Sequence, residues 1–348
     1  MTMSFRRTAC VGLLVFALCT AAPGCVMGQD DGPGLAMTGR NLSQEAVRKL
    51  ESGLESVPDD VEARTKLLGY YFLRAHGSRE AKEARQRHIL WLIGNRPEAP
   101  ILETPFAQLD ATLDGSAFAE GKQAWLSQVA REPNNAAILG KAAAYLLFQD
   151  PAAAESLYKR AEAAEPQNPV WPDHLGHLYA LGLSRKTGEE KQKAAQASLA
   201  AYERALLHMK DRGDLLPDAA KAAFDAGDLA KARTYAEEIL AEAGDQWGDG
   251  NKVHHGHLIL GRIALRAGDV ATAREHLLAA AKTSGSPSLN SFGPNMTLAK
   301  EFLEKGERQG VLEYFKLCAN FWKNDKLDTW ATEVRAGKVP DFGANLEY

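Results

Sequence analysis

The feature that most constrains the fold is a segment that occurs twice in the chain. Residues 226–233 read Ala-Gly-Asp-Leu-Ala-Lys-Ala-Arg, and residues 267–274 repeat them with only Leu and Lys replaced, by Val and Thr. Beyond residue 40, apolar residues recur at i, i+3, i+4 and i+7, which is the period of an α-helix. Short turns with Gly-Asp, Pro-Asn or Asp-Pro separate the helical stretches. The pattern predicts an all-α fold made of repeated helical units.

Small, aromatic and proline residues continue the same phase through neighbouring parts of the chain. The matching positions are Ala142, Tyr145, Ala154, Tyr158, Ala161, Pro166, Leu175, Gly176, Tyr179, Tyr202, Ala220, Ala232, Leu260, Gly261, Ala273, Leu277, Ala299, Phe302, Gly306, Phe315 and Cys318. This pattern resembles the helix-turn-helix unit of the tetratricopeptide repeat family, over roughly residues 118–322. The resemblance implies a right-handed α-solenoid whose concave groove binds another protein or a peptide. The chain also resembles exported bacterial repeat proteins of unknown function.

We expect three parts beyond the N-terminal leader. Residues 41–117 read as divergent helical hairpins, residues 118–322 as the repeat array, and residues 323–348 as a capping helix and tail. The capping helix is expected over residues 326–336, because a repeat array needs terminal caps for solubility. Within the first part, residues 94–117 carry prolines and no period, and form a longer loop than is usual in a compact domain.

Residues 1–28 have the layout of an export signal. Arg6 and Arg7 form a positive start, and residues 9–22 form an apolar stretch of signal-peptide length. This stretch of fourteen residues is too short to cross a bilayer, so we expect it to be removed rather than retained as an anchor. Residues 29–40 are expected to be a flexible linker.

The processing site has two alternatives. Ala22-Pro-Gly-Cys25 resembles the lipobox of bacterial lipoproteins, with Ala rather than Leu at its first position and Pro at its second. Cleavage before Cys25 would place a lipid on that cysteine and tether the protein to a membrane. Cleavage after Gly28 would release it into the periplasm. Lipidation of Cys25 is the favoured alternative.

Charge and cysteine content narrow the classes of partner. The 348 residues include 41 Lys and Arg against 45 Asp and Glu, and the net charge of −4 argues against a nucleic-acid partner. Of the four cysteines, Cys10, Cys19 and Cys25 lie in or beside the leader, and only Cys318 lies beyond it. The mature chain therefore has no internal pair for a disulfide or a cysteine-based zinc site. Cys318 is expected to be buried in the last repeat.

The resemblance also points to a binding groove. In the family, position 9 of each first helix faces the concave groove, and this chain places His177, Lys221, Arg262 and Lys300 there. Neighbouring groove positions hold Asp173, Phe224, Arg266 and Met296. A column of cations suits an extended ligand with carboxylates or phosphates. The sequence therefore predicts a non-enzymatic protein- or peptide-binding scaffold without a cofactor, while a merely solvated charged face is the alternative.

A metal-dependent hydrolase is a rival from another class of protein. Its ligands would come from His174 and His177, three residues apart, and from His254-His255-Gly256-His257. Helical i, i+3 histidines can chelate zinc, but a catalytic site needs a further ligand, and no His-Glu-x-x-His motif occurs. Histidines that start a helix or pack within it are the favoured interpretation.

A polysaccharide binder is a further alternative, because aromatic rings stack on sugars. The candidates are Tyr70, Tyr71, Phe72, Trp91 and Trp171. Their helical spacing favours packing in the core instead.

Overall fold

A computed structural model gives the structure of the protein, and it describes residues 32–244 and 248–346. Within these ranges every regular element is a helix, which confirms the all-α prediction. No helix in the described ranges is long and apolar enough to cross a membrane. The predicted export signal and Cys25 lie outside the described residues.

The chain divides into two compact units, one up to Ala161 and the other from Glu162. The helices of the first unit are α1 (Gly32–Gly39), α2 (Gln44–Ser56), α3 (Val61–Arg74), α4 (Arg79–Asn95), α5 (Ala111–Arg131), α6 (Ala136–Leu146) and most of α7 (Pro151–Ala164). Those of the second unit are α8 (Val170–Ala180), α9 (Gly188–Leu206), α10 (Leu216–Ala226), α11 (Leu229–Ala241), α12 (Gly250–Arg266), α13 (Val270–Ala280), α14 (Pro287–Phe292), α15 (Thr297–Glu304), α16 (Arg308–Cys318) and α17 (Lys326–Arg335).

The first helix of the first unit corrects the prediction of a flexible linker over residues 29–40. Small residues at Gly32, Ala36 and Gly39 are buried in α1 and allow it to pack closely on α3. A Cβ atom on Gly69 of α3 would overlap the backbone of Ala36. Glycine in this segment does not make the chain flexible. It permits two helix backbones to approach each other.

The proline-bearing segment 94–117 is packed rather than open. It contains the 3-10 turns Pro100–Glu103 and Pro105–Ala107, and the side chain of Ile101 is fully buried. Its irregular backbone leaves carbonyl groups without helical partners, and buried polar side chains bind them. The Gln128 amide donates to the carbonyls of Ile93 and Gly94 at 2.8 Å, and Arg85 donates to that of Phe106 at 3.1 Å. The segment is thus held in place by these buried side chains.

The second unit is built from helical hairpins whose turns repeat the same geometry. Gly227, Gly268 and Gly306 each end a first helix with φ near +85°, and the amide that follows bonds back into that helix at 2.9 or 3.0 Å. Asp228 and Asp269 then cap the next helix, accepting a backbone N–H at 3.0 Å. A left-handed backbone conformation favours glycine, and the N-cap position of a helix favours aspartate. The repeated Gly-Asp pair therefore has a direct structural cause.

Successive helices of the second unit pack against each other. The first helices α8, α10, α12 and α15 pair with the second helices α9, α11, α13 and α16. Cys318 is fully buried at the end of α16, which confirms its predicted inward position. The predicted terminal helix is also confirmed, because α17 packs Trp330 against Trp322 and Phe342.

The hairpin of α8 and α9 depends on a close helix crossing. A Cβ atom on Gly176 would overlap the ring of Tyr202, which is almost fully buried. The Ser198 hydroxyl donates to the Gly176 carbonyl at 2.9 Å inside the crossing. Close packing of this kind leaves no space for a larger side chain.

We predict that Gly176→Ala lowers the free energy of unfolding by about 1–3 kcal/mol, because the added methyl group would overpack the crossing. Gly53→Ala in α2 is the matched control. Nothing lies within 4 Å of the added Cβ there, and alanine favours a helix over glycine by about 1 kcal/mol. Urea unfolding of both variants measures the difference. Equal effects of the two substitutions would contradict the close crossing.

Candidate functional site

The predicted groove residues lie on the first helices of the second unit. We call the surface formed there by Asp173, His177, Asp218, Lys221, Arg262, Arg266 and Lys300 the first-helix face. Side-chain interactions relate its four helices in order. Asp218 of α10 interacts electrostatically with His177 of α8, and Phe224 of α10 contacts Arg262 of α12, which in turn pairs with Glu301 of α15.

One end of the face is a cluster of ionisable groups from α8, α9 and α10. His177 Nε2 lies 3.2 Å from Asp173 Oδ1, and the ring Nδ1 is hydrogen-bonded to the Tyr202 hydroxyl at 3.1 Å. Asp218 and Lys221 act on the same imidazole from α10. Sequence reasoning missed Asp218 and the hydroxyl contact of Tyr202. Asp218 could have been found, because it lies three residues before Lys221 and therefore on the same side of the helix.

Burial and charge act in opposite directions within this cluster. Burial raises the pKa of Asp218, and the opposing charges of His177 and Lys221 do not cancel that rise. Burial lowers the pKa of His177, but the hydrogen bond with Asp173 and the negative charges of Asp218 and Asp173 outweigh it, so the net pKa is raised. His177 therefore already has acidic partners within the protein, Asp173 in contact and Asp218 nearby, rather than standing alone on the face.

The middle of the face is formed by two arginines above a phenylalanine. The Arg262 guanidinium lies 4.0 Å from the Phe224 ring centroid, and that of Arg266 lies 5.6 Å from it. Arg262 also binds Glu301 Oε1 through Nε at 2.9 Å and Nη2 at 2.8 Å. Cation–π contact and a charge-assisted hydrogen bond together fix the orientation of Arg262.

The remaining predicted groove residues require corrections. Met296 is fully buried, and its backbone N–H donates to the Asn345 carbonyl at 2.8 Å, so it offers no side chain to a ligand. Phe224 is only 6% exposed and lies under the two arginines, so its ring also offers little apolar surface to a ligand. Lys300 lies 3.9 Å from Glu304 and keeps about two-fifths of its side chain exposed.

The predicted column of free cations is therefore mostly a row of ion pairs. His177, Arg262 and Lys300 each have a carboxylate partner within 4 Å. In residues 32–244 and 248–346, Lys221 and Arg266 have no such ion pair. The charge that is available to a ligand lies at these two positions.

Two histidines of the hydrolase alternative make contacts within the fold. His254 is fully buried in α12; its Nδ1 bonds to the Ala280 carbonyl at 2.8 Å, and its Nε2 accepts the Asn295 N–H at 3.0 Å. His257 faces His276 instead, with 3.0 Å between their Nδ1 atoms. Across the described ranges, no three His, Cys, Asp or Glu side chains are grouped closely enough to hold a metal ion. The proposed ligands do not converge.

Two of the aromatic candidates for sugar binding make contacts within the fold. Phe72 packs against Phe106 with 4.9 Å between the ring centroids. Trp171 is only 8% exposed, and its Nε1 donates to Glu165 at 2.9 Å. Tyr70, Tyr71 and Trp91 line clefts of the first unit.

Comparison with known proteins adds no family. No family model matches the chain, and no curated protein matches it either. The tetratricopeptide pattern therefore remains a resemblance carried by the repeat residues and by the hairpins that they form.

We predict that His254 makes stability depend on pH. Burial lowers its folded-state pKa from 6.5 to about 3, so the unfolded chain takes up the proton first as the pH falls. This stability is present above pH ~6.5 and is lost at up to about 1.4 kcal/mol per pH unit between roughly pH 6.5 and 3.

His254→Gln removes that titration, so the gap in unfolding free energy between wild type and variant should narrow from pH 7 to pH 5. Guanidinium unfolding at each pH measures it. A gap that stays constant over this range would show that His254 is not buried in the neutral form.

Proposed function

We propose that the protein is a non-enzymatic scaffold that binds an extended, acidic segment of a partner protein along the first-helix face. On this proposal the hairpins of the second unit form a right-handed tetratricopeptide-like solenoid, and the face lies in its groove. The observation that supports the proposal is the row of side-chain interactions on the first helices: an electrostatic one between α8 and α10, a cation–π contact between α10 and α12, and an ion pair between α12 and α15. A row of this kind presents charges at repeated intervals, as an extended chain requires.

Lys221 and Arg266 support an acidic ligand. A carboxylate that reaches either one does not first have to displace a protein carboxylate within 4 Å. Arg262 and Lys300 are already paired with carboxylates, so they serve mainly to set the register of the bound segment. Their pairing also makes them repel basic segments less than free cations would.

The cell envelope is the proposed location. The sequence features that support it are Arg6, Arg7 and the apolar residues 9–22, which are typical of an export signal. Lipidation of Cys25 would add a membrane tether. A tethered binding module of this kind would hold a partner at the membrane surface.

We predict that the double variant Lys221→Glu, Arg266→Glu weakens partner binding by about ten-fold or more, because it replaces the two unpaired cations with charges that repel an acidic segment. Crosslinking pull-down from envelope extracts, followed by mass spectrometry, identifies the partners. Titration of the purified partner then gives the affinity.

The matched control is Lys282→Glu, Lys316→Glu, which makes the same change in charge at two exposed lysines outside the face. This control should retain every partner. An unchanged partner list in the face variant, or equal losses in both variants, would overturn the proposed groove.

A further inference from the structure

The first unit contains a cleft between α2, α3 and α4 that sequence reasoning did not find. It has two lobes of about 600 and 680 Å³, and both are lined by Glu51, Tyr71 and Arg87. These volumes lie within the usual range for small-ligand sites. We call this feature the α2–α4 cleft.

The centre of the cleft is a fixed hydrogen-bonded relay. Glu51 Oε1 accepts the Tyr71 hydroxyl at 2.7 Å and is bonded to His88 Nε2 at 3.1 Å. On its other side, His88 Nδ1 accepts from Arg64 Nη1 at 3.2 Å, and Arg64 also donates twice to the Pro58 carbonyl. His88 is 3% exposed, so the relay anchors the half-buried Glu51 carboxylate to the interior.

The second carboxylate oxygen of Glu51 is left for a ligand. Among the described residues, Oε2 receives no hydrogen bond, and it is not sealed in the interior. Burial acts to raise the pKa of Glu51, but hydrogen bonds from His88 and Tyr71 and the charge of Arg87 lower it overall. The cleft therefore offers a fixed, ionised acceptor at its centre.

Aromatic rings and apolar side chains line the same lobe. The Arg64 guanidinium lies over the Trp91 ring at 3.7 Å from its centroid, which holds the indole in place. Trp91, Tyr71, Val47 and Leu54 then present carbon surface to the cleft. Such surfaces suit the C–H face of a ring-shaped ligand.

Two arginines from different helices line the cleft without carboxylate partners within 4 Å among the described residues. Arg48 belongs to α2 and Arg87 to α4, and both are exposed. In the part of the chain that the structure describes, neither has an ion-pair partner within 4 Å. Arg64, by contrast, already donates hydrogen bonds to His88 and to the Pro58 carbonyl. A ligand carboxylate in the cleft would thus meet two free guanidinium groups, which match its geometry.

We propose that the α2–α4 cleft binds an acidic saccharide. A neutral sugar would supply no anionic group to Arg48 and Arg87. A simple carboxylic acid would supply no hydrogen-bond donor to Glu51 and Glu55, whose carboxylates would repel it. A uronic acid unit satisfies both requirements, because its hydroxyls donate to these carboxylates while its own carboxylate accepts from the arginines. Its ring also covers the carbon surface of Tyr71. This site is separate from the first-helix face and does not rest on the function proposed for it.

The direct test is calorimetric titration of the full chain with trigalacturonate, a probe made only of uronic acid units. Galactotriose serves as the neutral probe and triglutamate as the acidic peptide probe. We expect trigalacturonate to bind at least about ten-fold more tightly than either, because only it supplies both carboxylates and ring hydroxyls.

Variants locate the binding. Arg48→Ala, Arg87→Ala should weaken trigalacturonate at least about ten-fold, while Arg131→Ala, an exposed arginine outside the cleft, should leave it unchanged. Circular dichroism checks that each variant is folded, and Arg87→Lys provides a second, milder change. Failure of trigalacturonate to bind, tighter binding of triglutamate, or full binding by the double variant would overturn the proposal.

Discussion

The arrangement of the second unit depends on the close crossing of the two helices in each hairpin. Gly176 allows α8 to lie against the Tyr202 ring of α9, and a buried hydrogen bond from Ser198 joins the two backbones. The same left-handed glycine then turns the chain at Gly227 and at Gly268. On the proposal of a solenoid, recurrence of this hairpin would place equivalent residues of successive first helices beside each other. The chemistry of the first-helix face follows from this packing.

The sequence allowed prediction of what is local and repeated. The helix period and the Gly-Asp turn are both set by residues within one repeat. Lys221 and Arg262 take the same position in two successive repeats. Met296 is buried because it belongs to a core cluster that includes Leu289 of α14, and its N–H bonds to Asn345; neither partner belongs to the repeat. The ion pair between Glu301 and Arg262 could not be predicted from the repeat pattern, because it joins two different hairpins. Contacts between distant residues carry no periodic signal.

The first unit shows the same limit more strongly. The relay from Tyr71 through Glu51 to His88 joins three helices, and no motif relates these residues by spacing. Tyr71 and Trp91 were visible only as aromatic residues at helical positions, for which core packing was the sound expectation. The place of Tyr71 in an open cleft depends on how α2 packs on α3, through a small apolar cluster around Val47. That placement is a property of tertiary packing.

The two candidate sites use charge in opposite ways, and this difference bears on selectivity. On the first-helix face, Arg262 is already bound to Glu301, so a ligand gains only from the cations that the fold leaves unpaired. In the α2–α4 cleft, the relay fixes a carboxylate at Glu51 beside the free Arg87, so an anion without hydrogen-bond donors is repelled even though arginines are near. A built-in repulsive group excludes wrong ligands as effectively as an attractive one selects the right ligand. On both proposals, selectivity would depend as much on the carboxylates as on the cations.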